Sequence, residues 1–400
     1  MIANDEARTV VIIRILSFFR HSSFVLRHSA VLGSLSMNMT KIVAPDFDLA
    51  RTLDSGQVFH WEKAGNGFIG AIGERAFYVE QDRALLKVRC AGTAQPARET
   101  RALPEIIRNY FALDHSLAEV CASFPDDPVM NAARDFCRGL RIIRQSKWEC
   151  LATFICSSMK QVAHIRQISR KLRERFGEAR KISLQRSIQN TQGGWAAPRA
   201  MLIDSASPTF VNIEQGTARS TNNCITYTFP TVKRIAQSSE KELRKCALGY
   251  RAKNLLKTAR LVDSGEADIE VWAELRDIDL RAKLCALPGV GAKVANCVML
   301  FAYERLRAFP IDVWIERVLR EKYFPRARKL KASRLRMFAQ EYFGEQGGYA
   351  QQYLFHHARM SARRKRAIEV NRPTSRAVTI KVGGSPNRPH EERNLSAPRR

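Results

Sequence analysis

The chain has 400 residues, of which 45% are hydrophobic, and its 66 Lys and Arg outnumber 39 Asp and Glu to give a net charge of +27. This length suits two folded domains with extensions. No run of about eighteen apolar residues occurs, so no membrane-spanning helix is predicted. Such a basic chain favours a polyanionic partner, although a ribosome-associated protein or a generally basic surface would carry the same charge.

Most of this charge lies in the part of the chain that is expected to fold. Residues 1–40 carry +2 and residues 361–400 carry +8, which leaves +17 for residues 41–360. A positively charged folded body is the usual electrostatic feature of a nucleic-acid-binding protein.

Residues 1–40 form an N-terminal extension, predicted to be disordered or not translated. They are apolar with interspersed arginines, and Arg14 interrupts the stretch that could serve as a signal-peptide core. A targeting segment is one interpretation. A start codon assigned too far upstream is favoured instead, because Met37 and Met39 stand just before the patterned part of the chain.

Residues 41–130 are predicted to be a β-rich N-terminal domain. Short apolar–polar alternations recur between residues 45 and 90, and Asn66-Gly67 is a strong hairpin signal, so we expect an antiparallel sheet. From Leu103 onward the apolar period becomes that of a helix. The fold class is therefore α+β, with a helical domain over residues 131–360. Helices are predicted within this domain at 130–180, 231–263, 272–286, 292–305, 313–322 and 335–358.

Two segments depart from this pattern. Residues 181–223 are rich in Ser, Thr, Gln, Asn and Gly and lack helical periodicity, so we interpret them as an inserted, mobile surface loop. Residues 361–400 contain a run of four basic residues at 363–366 among Pro, Ser and Asn, and are predicted to be a disordered tail. This tail would either add non-specific DNA affinity or simply be solvated.

The segment 287–295 is the most informative part of the chain. Gly289 and Gly291 flank one apolar residue, which predicts a tight hairpin between two helices. The first amides of the second helix have no intrahelical partners and form an anion site that suits a nucleic-acid phosphate. Lys293 lies on the first turn of that helix, where its amine is a candidate nucleophile, and Asp312 follows nineteen residues later.

With Phe309-Pro310-Ile311-Asp312-Val313, this segment resembles the helix-hairpin-helix and Gly/Pro-Asp region of base-excision DNA glycosylases, and within them 8-oxoguanine DNA glycosylases. The resemblance extends from about residue 45 to residue 359 and is interrupted by the insertion. It implies a bifunctional DNA glycosylase and AP lyase that excises 8-oxoguanine from duplex DNA through a lysine Schiff base and nicks the strand by β-elimination. The alternatives are a broader or alkylated-base glycosylase of the same fold, and a catalytically silent helix-hairpin-helix DNA-binding protein.

The resemblance assigns catalytic roles to two residues. Lys293 matches the family's catalytic lysine, whose amine must be uncharged to attack the sugar; a phosphate-binding lysine is the alternative. Asp312 stands where an N-cap is expected, and cap amides would keep its carboxylate ionised. In the family this carboxylate stabilises positive charge on the sugar as the base leaves.

The resemblance also implies a pocket for the flipped base. Cys297 and Phe355 would pack on its two faces, and Gln351 would bond to its edge. Gly56, in a Ser-Gly-Gln segment, would present its carbonyl to N7–H of 8-oxoguanine, a donor that normal guanine lacks. Without the resemblance, Phe355 would be interpreted as a core aromatic and Gly56 as a turn glycine.

On the opposite strand, Tyr250 matches the wedge that inserts beside the orphaned base, and Arg251 the residue that bonds the cytosine, although Arg251 also suits a phosphate contact. Gly289, Gly291 and His164 complete the predicted DNA contacts.

The sequence departs from the family here: Met159 replaces an asparagine and His164 an arginine. Trp314 stands where a histidine is often found. These replacements put the preference for cytosine in doubt.

The predicted partner is damaged double-stranded DNA, bound by a monomer without cofactor or metal. The nine cysteines are scattered and none forms a cluster after the hairpin, so no iron–sulfur cluster is expected. They are predicted to be reduced core thiols. The expected location is the nucleoid-associated cytoplasm of a bacterium, or the nucleus or an organelle of a eukaryote. The cysteines are Cys90, Cys121, Cys137, Cys150, Cys156, Cys224, Cys246, Cys285 and Cys297.

Overall fold

The computed structural model describes residues 39–91, 96–158, 160–185, 221–327 and 329–370. The predicted N-terminal extension up to residue 38, Met159, the centre of the insertion and the end of the basic tail lie outside the described residues.

The described N-terminal residues form an antiparallel sheet, as the alternation predicts. Its strands are β1 (Thr40–Val43), β2 (Glu62–Ala64), β3 (Gly67–Ile72), β4 (Arg75–Asp82) and β5 (Leu85–Cys90). Among the described residues these five strands pair in the order β1-β5-β4-β3-β2. The β2–β3 turn is Gly65-Asn66, one residue earlier than predicted, and Ala64 pairs with Gly67. Gly65 takes the positive φ of 58° that this turn requires.

Helices cover one face of the sheet. Helix α1 (Leu49–Asp54) follows β1, and α2 (Pro96–Tyr110) follows β5. The Trp61 indole donates to the Tyr110 hydroxyl at 3.0 Å, which joins the sheet to α2. A buried apolar core fills the space between these elements; it includes Phe77, Val79, Leu86, Val88, Ile107 and Phe111.

The ends of the predicted insertion form a two-stranded ribbon, so the prediction of a loop over 181–223 is wrong at both ends. Strand β6 (Ala179–Gln185) pairs antiparallel with β7 (Thr221–Tyr227). Ile182 and Cys224 of the ribbon are buried against Ile69 and Tyr78 of the sheet. This apolar contact stabilises the two strands. They were not predicted because the segment was interpreted from its lack of helical periodicity.

The rest of the described chain is a helical body with its own core. Its helices are α3 (Leu117–Ala122), α4 (Pro128–Phe136), α5 (Lys147–Ser157), α6 (Val162–Phe176), α7 (Val232–Ala236), α8 (Glu240–Leu243), α9 (Arg251–Asp263), α10 (Asp277–Cys285), α11 (Ala292–Ala302), α12 (Val313–Val318), α13 (Ala332–Tyr342) and α14 (Gly347–Val370), with irregular helical turns at Arg244–Leu248, Val271–Glu274, Leu319–Tyr323 and Gly344–Gln346.

Helix α14 extends further than the sequence predicts. Residues 361–370 continue it, so the prediction of a disordered tail from residue 361 is wrong for this part. None of these ten residues is Gly or Pro, the residues that disfavour a helix interior, and the next proline is Pro373. At its other end, Gly348 packs so closely on α11 that a Cβ would lie 2.2 Å from Leu300 Cδ1. No described helix is long and apolar enough to cross a membrane.

Candidate active site

The predicted hairpin joins α10 to α11. Its two glycines have different roles. Gly289 has a φ of +83°, and a Cβ there would lie 2.9 Å from the Asn254 side chain, so both backbone and space require glycine. Gly291 has an extended φ of −100° and open space around it, and it serves as the N-cap of α11. The hairpin delivers Lys293 to the first turn of α11, as predicted.

Lys293, Cys297 and Asp312 come together. The Lys293 ammonium lies 5.1 Å from the centre of the Phe154 ring. Phe154 is held on α5 by stacking on Phe301, with ring centres 5.5 Å apart. Burial raises the pKa of the Cys297 thiol, and nearby Lys293, which is hydrogen-bonded to it, only partly opposes this shift. The thiol therefore stays protonated and presents a neutral, polarisable surface.

Asp312 caps α12, as predicted, and its Oδ1 accepts a hydrogen bond from the Ile315 amide at 2.9 Å. Burial nevertheless raises the pKa of this carboxyl above its ordinary value, because desolvation outweighs the amide bonds and the attraction of Lys293. Burial therefore opposes the effect of the cap amides, which were expected to keep the carboxylate ionised. Lys293 lies close enough to the carboxyl for its positive charge to oppose part of this shift.

The Ser-Gly-Gln loop leaves one carbonyl available. The Ser55 carbonyl accepts from Gln352 Nε2 at 3.0 Å, and the Gln57 carbonyl accepts from Gln145 Nε2 at 2.8 Å. The Asp54 carbonyl accepts from Arg359. Within the described residues, the Gly56 carbonyl between them receives no hydrogen bond. The loop is thus fixed on both sides of a free acceptor.

The Gln57 side chain anchors this loop to the segment that precedes α5. It accepts from the Ile143 amide at 2.7 Å and donates to the Arg141 carbonyl at 2.8 Å. Gln57 is fully buried, so these bonds form in a low-dielectric setting where they hold the loop firmly.

Gly56 lies close to the predicted stacking residue. Gly56 has a φ of +90°, and a Cβ there would lie 3.1 Å from Phe355 Cε1. One turn earlier on α14, Gln351 is buried, and its Oε1 has no hydrogen-bond partner in the described structure. A buried unpaired amide oxygen is costly unless a ligand satisfies it. The structure therefore joins Gly56, Gln351 and Phe355 at one location, and α14 packs on α12 behind Asp312.

The two predicted opposite-strand residues differ in exposure. Tyr250 is 56% exposed after the bend at Gly249, which suits a wedge. Arg251 is buried, and its Nε donates to the Ser158 carbonyl at 2.8 Å while its guanidinium lies 4.3 Å from the Tyr250 ring centre. Its guanidinium is therefore engaged within the protein instead of facing outward.

The other positions noted for the opposite strand differ in exposure too. His164 is exposed on the first turn of α6, and Trp314 is half-buried with Arg317 over its ring. Met159 lies outside the described residues.

Two site residues escaped the sequence analysis. Phe154 lies under the Lys293 ammonium, and nothing in its local pattern distinguishes it from a core aromatic. Arg359 lies beside Gly56 and Phe355. Its position four residues after Phe355 and eight after Gln351 places it on the same helix face, and this spacing could have revealed it.

Possible metal ligands do not come together in the part of the chain that the structure describes: no group of three or more His, Cys, Asp or Glu side chains could hold an ion there. All nine cysteines are among the described residues; six of them are buried, whereas Cys285 is exposed, so the prediction of core thiols is wrong for Cys285.

Two family models match consecutive parts of the chain. Residues 39–151 match the N-terminal domain of 8-oxoguanine DNA glycosylase, and residues 153–343 match HhH-GPD superfamily base excision DNA repair proteins. The first match contains the sheet and Gly56, and the second contains Lys293 and Asp312.

Similar proteins cover most of the chain. An N-glycosylase/DNA lyase of Arabidopsis thaliana is 27% identical over 331 residues, which are 79% of this chain and 78% of that protein. A probable N-glycosylase/DNA lyase of Methanothermobacter thermautotrophicus is 27% identical over 329 residues, or 80% and 96% of the two chains. The solved structure of Clostridium acetobutylicum 8-oxoguanine glycosylase/lyase, in complex with double-stranded DNA containing cytosine opposite the lesion, has a TM-score of 0.63 at 27% identity and covers 80% of this chain and 93% of that one.

Proposed function

Because this chain belongs to the 8-oxoguanine DNA glycosylase family of the HhH-GPD superfamily, we propose that it is a bifunctional DNA glycosylase and AP lyase that excises 8-oxoguanine from duplex DNA. The relatives named as N-glycosylase/DNA lyases and the related structure with lesion-containing DNA support this activity. The observation that carries the proposal within this chain is the free Gly56 carbonyl, fixed between bonded neighbours in a loop where an added Cβ would lie 3.1 Å from Phe355.

Lesion recognition follows from that carbonyl. A base flipped into the pocket would lie between Phe355 and Cys297, with its edge against Gln351. The N7–H of 8-oxoguanine would donate to the Gly56 carbonyl, whereas the bare N7 of guanine would face it lone pair to lone pair. The unpaired Oε1 of Gln351 would gain a donor from the base edge, which removes the cost of leaving it buried and unsatisfied.

The chemistry would proceed from Lys293. Its uncharged amine attacks C1′, and the C–N bond to the base breaks with its electron pair moving to the base, which takes up a proton. The Asp312 carboxylate stabilises the positive charge that develops on the sugar. Opening of the sugar ring gives a Schiff base between Lys293 and C1′. Loss of a C2′ proton then expels the 3′ phosphate and nicks the strand.

The proposed partner is damaged double-stranded DNA, bound by a single copy of the chain without an iron–sulfur cluster. The charge of +17 on residues 41–360 supports DNA as the partner. The proposed location is wherever the cell keeps its DNA: the nucleoid-associated cytoplasm of a bacterium, or the nucleus or an organelle of a eukaryote.

Borohydride trapping tests the proposal. Wild-type protein mixed with an 8-oxoguanine:cytosine duplex and borohydride should give a covalent protein–DNA complex and release the base. Lys293→Gln should abolish both, since the variant has no nucleophilic amine. Lys283→Gln, an exposed lysine on α10, removes the same charge and should retain both. If Lys293→Gln released the base as fast as the wild type, the Schiff-base mechanism would be wrong and attack by water would replace it. If the wild type released no base, 8-oxoguanine would be excluded as the substrate.

A further inference from the structure

Arg359 lies behind the pocket and contacts both of its recognition elements. Its Nη2 donates to the Asp54 carbonyl, two residues before Gly56. Its guanidinium carbon lies 5.7 Å from the Phe355 ring centre. Its Nη1 lies 3.2 Å from the position that a Cβ on Gly56 would occupy. One side chain therefore touches the loop that carries the free carbonyl and the aromatic ring expected to stack on the base.

Burying a guanidinium at this position has a large desolvation cost. Its side chain is only 14% exposed, and burial lowers the pKa of Arg359. Asp54, the one carboxylate that pairs with it among the described residues, lies 3.5 Å away and is shared with Arg166, which is closer at 2.7 Å. The Arg359 Nε is buried without a hydrogen-bond partner in the described structure. An apolar side chain of similar length would fill this space without the desolvation cost.

The geometry shows what the guanidinium provides that an apolar chain could not. Gln352 holds the Ser55 carbonyl, and Arg359 holds the Asp54 carbonyl, so two side chains of α14 bind consecutive carbonyls of the loop. His356, whose pKa burial lowers to about 4, is neutral near pH 7 and accepts from Arg359 Nη2 at 3.3 Å. Loop and helix are thus joined directly before Gly56, the residue whose added Cβ would lie 3.1 Å from the Phe355 ring.

We propose that Arg359 is a positioning residue for lesion recognition: it fixes the Gly56 carbonyl and the Phe355 ring relative to each other, so that the pocket distinguishes 8-oxoguanine from guanine. The inference rests on the proposed function. Arg359 acts through Gly56 and Phe355 and need not touch the base. Without Arg359, the loop and the ring shift independently. The hydrogen bond from N7–H of the base to the Gly56 carbonyl is then weakened, because such a bond depends on direction.

The test compares steps that need the base with a step that does not. Arg359→Met keeps an unbranched side-chain stem and removes the donor and the charge. It should slow single-turnover excision of 8-oxoguanine about 10- to 100-fold, in line with the loss of a hydrogen bond to a charged group. It should also reduce, by a similar factor, the ratio of affinities for non-cleavable 8-oxoguanine and guanine duplexes. Cleavage of a preformed abasic site should be unchanged, because that substrate has no base to position.

Two further variants keep the test decisive. Arg336→Met, an exposed arginine on α13, loses the same groups and should behave as wild type. Arg359→Lys keeps a charged donor without the planar group and should excise at a rate between wild type and Arg359→Met; it replaces the methionine variant if that one does not fold.

The inference is overturned if both Arg359 variants excise and discriminate as wild type does, or if cleavage of the abasic site falls by the same factor as excision. A wild-type protein that leaves 8-oxoguanine in place but cleaves abasic sites would instead refute the proposed substrate, and this inference with it.

Discussion

Replacing Gly56 with alanine should impair recognition of the damaged base without impairing strand cleavage. The added methyl group meets two obstacles. The backbone φ of +90° is one that L-residues with a side chain rarely adopt, and the Cβ would lie 3.1 Å from Phe355 Cε1 and 3.2 Å from Arg359 Nη1. Each contact requires its neighbour to move by a few tenths of an ångström, and both neighbours belong to the pocket.

The size of the effect follows from where the strain can be relieved. A non-glycine residue in such a backbone region costs about 1–3 kcal/mol. The carbonyls of Ser55 and Gln57 are bonded on either side, so the peptide of residue 56 itself must rotate to relieve the strain. That rotation moves the acceptor for N7–H. At about 1.4 kcal/mol per factor of ten, we expect lesion affinity to fall roughly 5- to 150-fold.

The assay is equilibrium binding to a non-cleavable 8-oxoguanine:cytosine duplex, with an abasic-site duplex in parallel. Gly73→Ala is the matched control, because Gly73 also has a positive φ, +57°, but nothing lies within 4 Å of its added Cβ. Both variants should lose folding stability, measured by denaturant unfolding, whereas only Gly56→Ala should lose lesion affinity. The reasoning is refuted if both variants lose lesion affinity equally, or if Gly56→Ala loses affinity for the two duplexes equally.

Three other changes test separate parts of the site. Gln351→Ala and Phe355→Ala should weaken binding to the lesion more than to an abasic analogue, with about 1–3 kcal/mol expected for loss of stacking on the ring; equal losses would make both residues structural. Single-turnover excision opposite C, A, G and T should show a weaker cytosine preference than a Met159→Asn/His164→Arg double mutant, since each directional contact contributes about 1–3 kcal/mol; an equally strong wild-type preference contradicts this. Base release should decline on acidification at a higher pH than an ordinary aspartate would give, because burial raises the pKa of Asp312 and only its ionised form stabilises the sugar; a pH–rate profile that stays flat down to about pH 4 would exclude this role.

Features encoded by local spacing could be predicted from the sequence. The hairpin needs only two glycines and the helix start after them, and the structure has α11 beginning at Ala292 as expected. Asp312 was predicted as a helix cap from its neighbours and caps α12. The β2–β3 turn was misplaced by one residue because glycines stand on both sides of Asn66, so either pair satisfies the local rule.

Features that depend on distant partners could not be predicted. Strands β6 and β7 pair across 35 residues of intervening chain, and their burial requires a sheet face formed by residues more than a hundred positions earlier. Likewise, the sequence shows Gly56 but not that its carbonyl stays unbonded. Gln352 and Gln145 bond the carbonyls on either side of it, and they lie 297 and 88 positions along the chain from those acceptors. Only tertiary structure decides which backbone groups remain unpaired.

The two sides of the proposed DNA site differ in how far they are formed before DNA binds. On the lesion side, buried side chains already hold the carbonyls around Gly56, so little ordering is needed when a base enters. On the opposite side, the Arg251 guanidinium is bonded to the Ser158 carbonyl and would have to give up or share those donors to reach a cytosine. Exchanging one set of hydrogen bonds for another yields little net free energy. Lesion identity should therefore contribute more to selectivity in this chain than the identity of the opposite base.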